Sequence, residues 1–231
     1  MGTSRLGQVR AGPHLALVAP LRLASASPRR AEILRRAGFA FVVEPARTSE
    51  PAPAPGTIYP ALLAGRLAGA KVADVAARHP QEIVLGADTV VVFEGRVLGK
   101  PSGPADAAAV LTMLRGHTHD VITAVAVGGT LGAVSGTQTT RVTFRHYSDA
   151  EVKRYVASGL PLDKAGSYGV QDVAFAPAAA IEGCYLNVVG LPLCVVGELF
   201  GRLNGFAEGS DRPACDHRGR GSGDPDRVAD P

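Results

Sequence analysis

Between about residue 20 and residue 204, short β-branched runs alternate with longer segments whose apolar positions recur every three or four residues. This is the pattern of an α/β domain with helices packed on a sheet. The first unit reads as a strand from Leu21 to Ser25 and a helix from Ser27, a good N-cap, with Pro28 at the first helical position and Gly38 closing it. A strand from Phe39 to Val43 follows, then Pro51-Ala52-Pro53-Ala54-Pro55, whose prolines exclude regular structure. From about Tyr59 to Arg78 the spacing predicts a helix with Leu63, Leu67, Lys71 and Val75 on one face. Glu82 to Ala87 reads as a buried strand that delivers Asp88 at its carboxyl end, and Thr89 to Phe93 leads on to a Glu94-Gly95 turn. Further helices are expected at about Gly103 to Arg115, at Asp149 to Ser158 behind a Ser148/Glu151 capping box, and from Pro192 to Leu203. Asn187 to Pro192 reads as a strand ending at that last helix.

Composition narrows the class. The 231 residues are 46% hydrophobic, enough to bury one sizeable core. Residues 1–19 and 205–231 carry Gly, Pro and Arg without periodicity and are expected to be a flexible N-terminal extension and a disordered C-terminal tail flanking a 20–204 domain. Basic residues number 24 against 21 acidic, with much of the excess near the ends, which does not make a nucleic-acid footprint. Seven Phe and five Tyr, with no Trp, are not interleaved with basic residues as a single-strand binder requires. Pro20 and Arg22 interrupt the apolar run from Leu15 to Ala26, so it reads as a strand and not a targeting segment, and no stretch is long enough to span a membrane. Cys184, Cys194 and Cys215 show neither CxxC spacing nor a paired framework; a reducing, cytoplasmic setting is expected, without disulfides or structural zinc. His117-x-His119 and Cys215-Asp216-His217 resemble metal ligands in residue type alone, lacking a second ligand pair.

The candidate chemistry begins at Ser25-Ala26-Ser27-Pro28-Arg29-Arg30. Two hydroxyls, free backbone N–H groups and two guanidiniums at a helix start have the composition of a phosphate cradle, or of a simple cap with two solvated arginines. Lys71 interrupts an apolar stripe, so it either snorkels along its stem to the surface or carries a charge into a cavity. Asp88 follows residues that should be buried and must find hydrogen bonds, a cation or a metal there, or cap a turn. Lys100 sits in a Gly99-Lys100-Pro101 turn. Asp163 to Gln171 is polar and Gly-punctuated, suited either to a loop with Lys164 and Gln171 turned inward or to a solvated hairpin.

Seven segments in order resemble the Maf family of nucleotide pyrophosphatases: Leu23 to Arg30, Gly86-Ala87-Asp88-Thr89, Leu98-Gly99-Lys100-Pro101, Val121-Ile122-Thr123-Ala124, Asp163-Lys164-Ala165-Gly166, Tyr168-Gly169-Val170-Gln171 and Asn187 to Pro192. The resemblance spans roughly Leu21 to Leu203. It implies an inosine-triphosphatase-like fold, an elongated mixed twisted sheet flanked by helices with a central cleft, often as a homodimer. It implies Asp88 as proton acceptor with Lys71 and Lys100 in the same cleft, and Arg29, Thr89 and Gln171 as specificity positions. Thr89 directly after the Asp resembles the subgroup acting on dTTP and UTP. A triphosphate carries close to four negative charges, which Ser25, Ser27, Arg29, Arg30 and Lys164 are expected to help hold beside Mg²⁺ or Mn²⁺. Where the family usually shows an acidic pair, this chain has Thr48-Ser49-Glu50, leaving Glu50 as the candidate metal ligand. The alternative function is a nucleotide-binding regulator of cell division without essential catalysis.

Overall fold

The computed structural model describes residues 16–48, 59–208, 210, 213 and 215. Most of the described helices begin where the sequence supplies a start signal. Strand β1 (Leu21–Leu23) leads to helix α1 (Pro28–Arg36), which has Pro28 at its start, and Gly38 beyond its end takes φ 84°. The next strand is shorter than expected: β2 is only Val42–Val43, because Phe39 leaves the ladder and buries its ring 6.0 Å from that of Phe200. Helix α2 (Pro60–Arg78) carries the apolar face with Lys71 in it. The proline run lies outside the described residues.

Strand β3 (Ile83–Phe93) overturns one expectation, because it runs unbroken through Asp88, so the carboxylate sits mid-strand and not at a carboxyl end. The reason is its partner. After β4 (Arg96–Leu98) and α3 (Pro104–Leu114) comes β5 (Thr118–Gly129), whose antiparallel register with β3 is continuous from Ile83↔Gly129 to Val92↔Asp120 and pairs Asp88 with Ala124. Strand β6 (Val134–Phe144) follows. Then α4 (Asp149–Ala157) starts with both arms of the Ser148/Glu151 capping box formed. Two short 3₁₀ turns, Leu160–Asp163 and Ala165–Ser167, precede β7 (Ala178–Glu182). Asn187 lies in a short helix, α5 (Tyr185–Val189), where a strand was expected, and α6 (Leu193–Arg202) ends the domain.

The sheet is mixed, open and seven-stranded in the order β2-β1-β3-β5-β6-β7, with β4 on β3. β1 runs parallel to β3 and covers only Ile83 to Leu85, whereas β4 covers Val91 to Phe93. Since β5 occupies the opposite edge, the ladder on the β1 side is interrupted over Gly86–Val90. That gap opens the cleft.

Strand alternation divides the core between the two faces. Val84, Val90, Ala124 and Ala126 pack against Ala64, Ala68, Val72 and Val75 of α2. On the other face, Leu85, Ala87 and Val125 meet α1, α5 and α6, while Val91, Phe93, Val121 and Phe144 meet α3 and α4. Helix α2 comes very close to its face: a Cβ on Gly86 would stand 2.8 Å from Val72 Cγ2 and 3.1 Å from the Ala68 carbonyl oxygen. The flanks expected outside the domain meet each other beside it. Leu17 bridges Phe206, and both pack against the core cluster of α1, α5 and α6.

Candidate active site

The interruption along β3 opens a cleft of ≈ 630 Å³, a size suited to a small molecule. It lies beyond the carboxyl end of β1, the usual place for a ligand in an open α/β sheet, but alongside the middle of β3. Asp88 and Thr89, adjacent on one strand, face opposite sides of the sheet, and the cleft touches both.

On the α2 face, Lys71 Nζ donates to Asp88 Oδ1 at 2.8 Å, with side chains only 9% and 10% exposed. The lysine that broke the apolar stripe therefore delivers its charge inward. The missing side chain of Gly86 lets α2 approach closely enough for this contact. Ala124, opposite Asp88, is a small neighbour on the same face.

On the other face Arg30 makes a three-pronged contact. Nε donates to the Gly190 carbonyl oxygen at 2.8 Å, Nη1 to Ser25 Oγ at 3.2 Å and Nη2 to Thr89 Oγ1 at 3.1 Å. Thr89 Oγ1 also lies 2.9 Å from Thr123 Oγ1, and Thr123 donates from that hydroxyl to the Asn187 carbonyl oxygen. Asn187 is fully buried; its Oδ1 accepts from Thr123 N and its Nδ2 donates to the Val121 carbonyl oxygen. Asn187 is thus an internal brace tying α5 to β5. Thr123 had no assigned role, although a hydroxyl inside the apolar run Val121 to Val127 was the signal.

The cradle at α1 forms in part as expected. Ser25 and Ser27 line the cleft, Ser25 Oγ accepts from Ser27 N, and the Ser27 side chain caps no backbone group of α1. Arg29 reaches across to Asp163, Nη1 to Oδ2 at 3.4 Å, and Lys164 donates to Asp163 Oδ1 at 2.8 Å and to the Leu160 carbonyl oxygen. Burial opposes ionisation of Asp163, but Lys164 and Arg29 outweigh it and hold its carboxyl below the usual range. Lys100 is exposed on the wall that follows β4, where the Gly99 carbonyl oxygen accepts from Gly166 N and joins that turn to the Asp163–Gln171 loop. Gln171 lines the cleft as well, its neighbour Asp172 being held by Tyr155.

All the expected site residues except Glu50 thus line one cleft, and Glu50 lies outside the described residues. The described lining carries five cationic side chains, Arg29, Arg30, Lys71, Lys100 and Lys164, against two carboxylates, Asp88 and Asp163. His117 and His119 lie in different surroundings. His117 is exposed, whereas His119 is buried against Phe144 and Tyr168, with Nε2 2.8 Å from Tyr168 Oη. Burial lowers the His119 pKa to about 4, so it is neutral, and it buttresses the tyrosine that lines the cleft.

A mixed open sheet whose interrupted edge exposes a cationic cleft around one buried carboxylate defines a binder of small polyanions. The family model for Maf-like protein matches residues 20–203, and the chain belongs to that family. It is 47% identical over 182 residues to a dTTP/UTP pyrophosphatase of Koribacter versatilis, covering 79% of this chain and 93% of that one. A dTTP/UTP pyrophosphatase of Moorella thermoacetica is 50% identical over 185 residues, 78% of this chain and 92% of its own. One from Dehalococcoides mccartyi is 48% identical over 179 residues, 77% and 79% of the respective chains.

Proposed function

We infer that this chain is a nucleoside triphosphate pyrophosphatase that converts dTTP and UTP to the monophosphate and pyrophosphate. The buried Lys71–Asp88 pair on the wall of a cationic cleft carries the reading, because burying a carboxylate needs a compensating cation and this one faces the space a triphosphate would fill. The relatives named as dTTP/UTP pyrophosphatases supply the substrate class.

In this reading Asp88 orients a water and takes its proton as the water oxygen bonds to the α-phosphorus. The bond from that phosphorus to the bridging oxygen breaks, and pyrophosphate leaves with the electron pair. Lys71 fixes Asp88 Oδ1 and adds positive charge beside the reacting phosphate. General-base assistance of this kind contributes roughly 10²- to 10⁴-fold. Arg29, Arg30, Lys100 and Lys164 offset charge growing on pyrophosphate, with Ser25 and Ser27 donating hydrogen bonds. Arg29, Thr89 and Gln171 select the base, and Arg30 and Thr123 hold the Thr89 hydroxyl in a defined direction.

Mg²⁺ or Mn²⁺ fits a donor set of hard oxygens. Asp88 is the carboxylate in the cleft that would share such an ion with the phosphate oxygens of the substrate. Glu50 is the proposed second protein ligand, and the ion when bound would neutralise phosphate charge. The location proposed is cytoplasmic; among the described residues no helix is long and apolar enough to cross a membrane. The proposed homodimer is tested by sedimentation of the full chain.

The deciding measurement is pyrophosphate release from dTTP, UTP, CTP and 7-methyl-GTP, with and without Mg²⁺. Release fastest with dTTP and UTP and dependent on the cation is expected. Tight binding of these nucleotides without release would overturn the enzyme reading in favour of a nucleotide-binding regulator.

A further inference from the structure

The sequence spacing of Cys184, Cys194 and Cys215 suggested no shared site, but folding brings their sulfurs together, all within 4.8 Å of one another. Cys184 is the N-cap of α5, Cys194 is in the first turn of α6, and Cys215 belongs to the segment after α6. Each is held by specific contacts. Thr140 Oγ1 accepts from Cys184 N at 3.0 Å and donates to the Cys184 carbonyl oxygen at 3.1 Å, anchoring α5 to β6. Cys194 N donates to Cys215 Sγ at 3.1 Å. Pro213 is buried over Gly197, where a Cβ would come 2.6 Å from the Pro213 carbonyl oxygen, so this glycine lets Pro213 approach α6 closely. None of the three cysteines lines the cleft.

Packing alone accounts for one buried cysteine, which behaves as a small hydrophobe. It does not account for three converging from separate elements, one of them brought by a segment outside the sheet and helices. Three sulfurs sharing one tetrahedral Zn²⁺ at about 2.3 Å would lie about 3.8 Å apart, inside the observed limit. Cys194 N–H donates toward Cys215 Sγ, but the neighbouring Cys184 and Cys194 sulfurs and burial outweigh it and push the Cys215 thiol up.

We propose that Cys184, Cys194 and Cys215 form a binding site for a soft cation of the Zn²⁺ type, separate from the nucleotide cleft, which clips the segment carrying Pro213 and Cys215 onto α6. Three thiolates bind the ion and a fourth donor completes the tetrahedron. Each metal–sulfur bond formed from a thiol releases one proton to solvent, so no oxidant or reductant is needed.

The test uses the full chain, reduced and stripped of metal, titrated with Co²⁺ and then Zn²⁺. One Co²⁺ per chain with a thiolate-to-cobalt charge-transfer band, bleached by Zn²⁺, is expected. Cys215→Ser should lose that band while keeping the fold and basal pyrophosphate release, since the residue lies on the attached segment and outside the cleft. Cys184→Ser should lose it too; if that variant fails to fold, Cys215→Ser decides alone. Zn²⁺ at a hundredfold over its Kd should raise the melting temperature of the parent chain by about 5–10 °C. Absence of the charge-transfer band, an undiminished band in Cys215→Ser, or an intramolecular disulfide on mild oxidation with no metal uptake in the reduced chain would overturn the proposal.

Discussion

Replacing Lys71 by Met removes the cation from a pair whose side chains are 9% and 10% exposed and whose charged atoms lie 2.8 Å apart. Methionine matches the stem that packs in α2, so the loss is mainly electrostatic: Asp88 is left buried without its cation. Breaking such a pair from one side costs about 3–5 kcal/mol. For a domain of this size that lowers the melting temperature by roughly 6–20 °C, leaving a folded protein if total stability lies toward the upper part of the ~5–15 kcal/mol range. Asp88→Asn strands the lysine in the same way, although its amide oxygen still accepts one hydrogen bond. The double variant leaves neither charge without its partner and should cost less than the sum of the singles, with a coupling energy of about 0.5–3 kcal/mol. Urea denaturation of the four proteins at a common m-value measures the cycle. Pyrophosphate release from dTTP should fall roughly 10²- to 10⁴-fold in Asp88→Asn with binding retained. Strictly additive midpoints would refute the buried pair. Wild-type turnover in Lys71→Met would refute a role for the lysine beyond packing.

Three further outcomes are expected. Gly86→Ala forces Val72 and the α2 backbone away from β3, and should cost about 1–3 kcal/mol and reduce turnover by displacing Lys71; an unchanged melting temperature and kcat would contradict the close approach. Arg30→Lys replaces a fork on Ser25, Thr89 and Gly190 with a single point of donation, and should lower kcat/KM for dTTP about 10- to 100-fold, read by steady-state kinetics. The His119 pKa is depressed to about 4 from the ordinary 6.5, so protonation favours the unfolded chain. The stability this gives is complete above pH 6.5 and is lost as pH falls to about 4, on the order of 3 kcal/mol. Denaturant midpoints between pH 4 and 7 should therefore slope less in His119→Phe than in the parent, and equal slopes would exclude His119 as their source.

Features that depend on near neighbours could be read directly from the chain. Ser27-Pro28 starting α1, the extent of α2 and the Ser148/Glu151 box all express local backbone and side-chain chemistry, which acts over three or four residues. The site residues were visible as misfits: a lysine in an apolar stripe, a carboxylate in a buried run, paired arginines at a helix start. Their common purpose came from resemblance, since periodicity alone left Lys71 free to snorkel.

What only the tertiary structure decided are relations between distant segments. Asp88 looked like a strand end because a carboxylate is costly inside a sheet. The strand continues because β5 pairs with its whole length and Lys71 offsets the charge. Asn187 looked like part of a strand among valines, yet it sits in a five-residue helix whose polar side chain is satisfied by β5. The cysteines looked unrelated by spacing, and the packing of α5, α6 and the following segment brings them together. In sequence these residues are separated by tens of positions, and such contacts form only when the sheet closes one surface against another. The chain's local pattern thus determined the main helices and the candidate chemistry. The interrupted edge of β3 and the close approach of α2 determined which of those groups share a cleft, because both depend on where non-neighbouring backbones are allowed to touch.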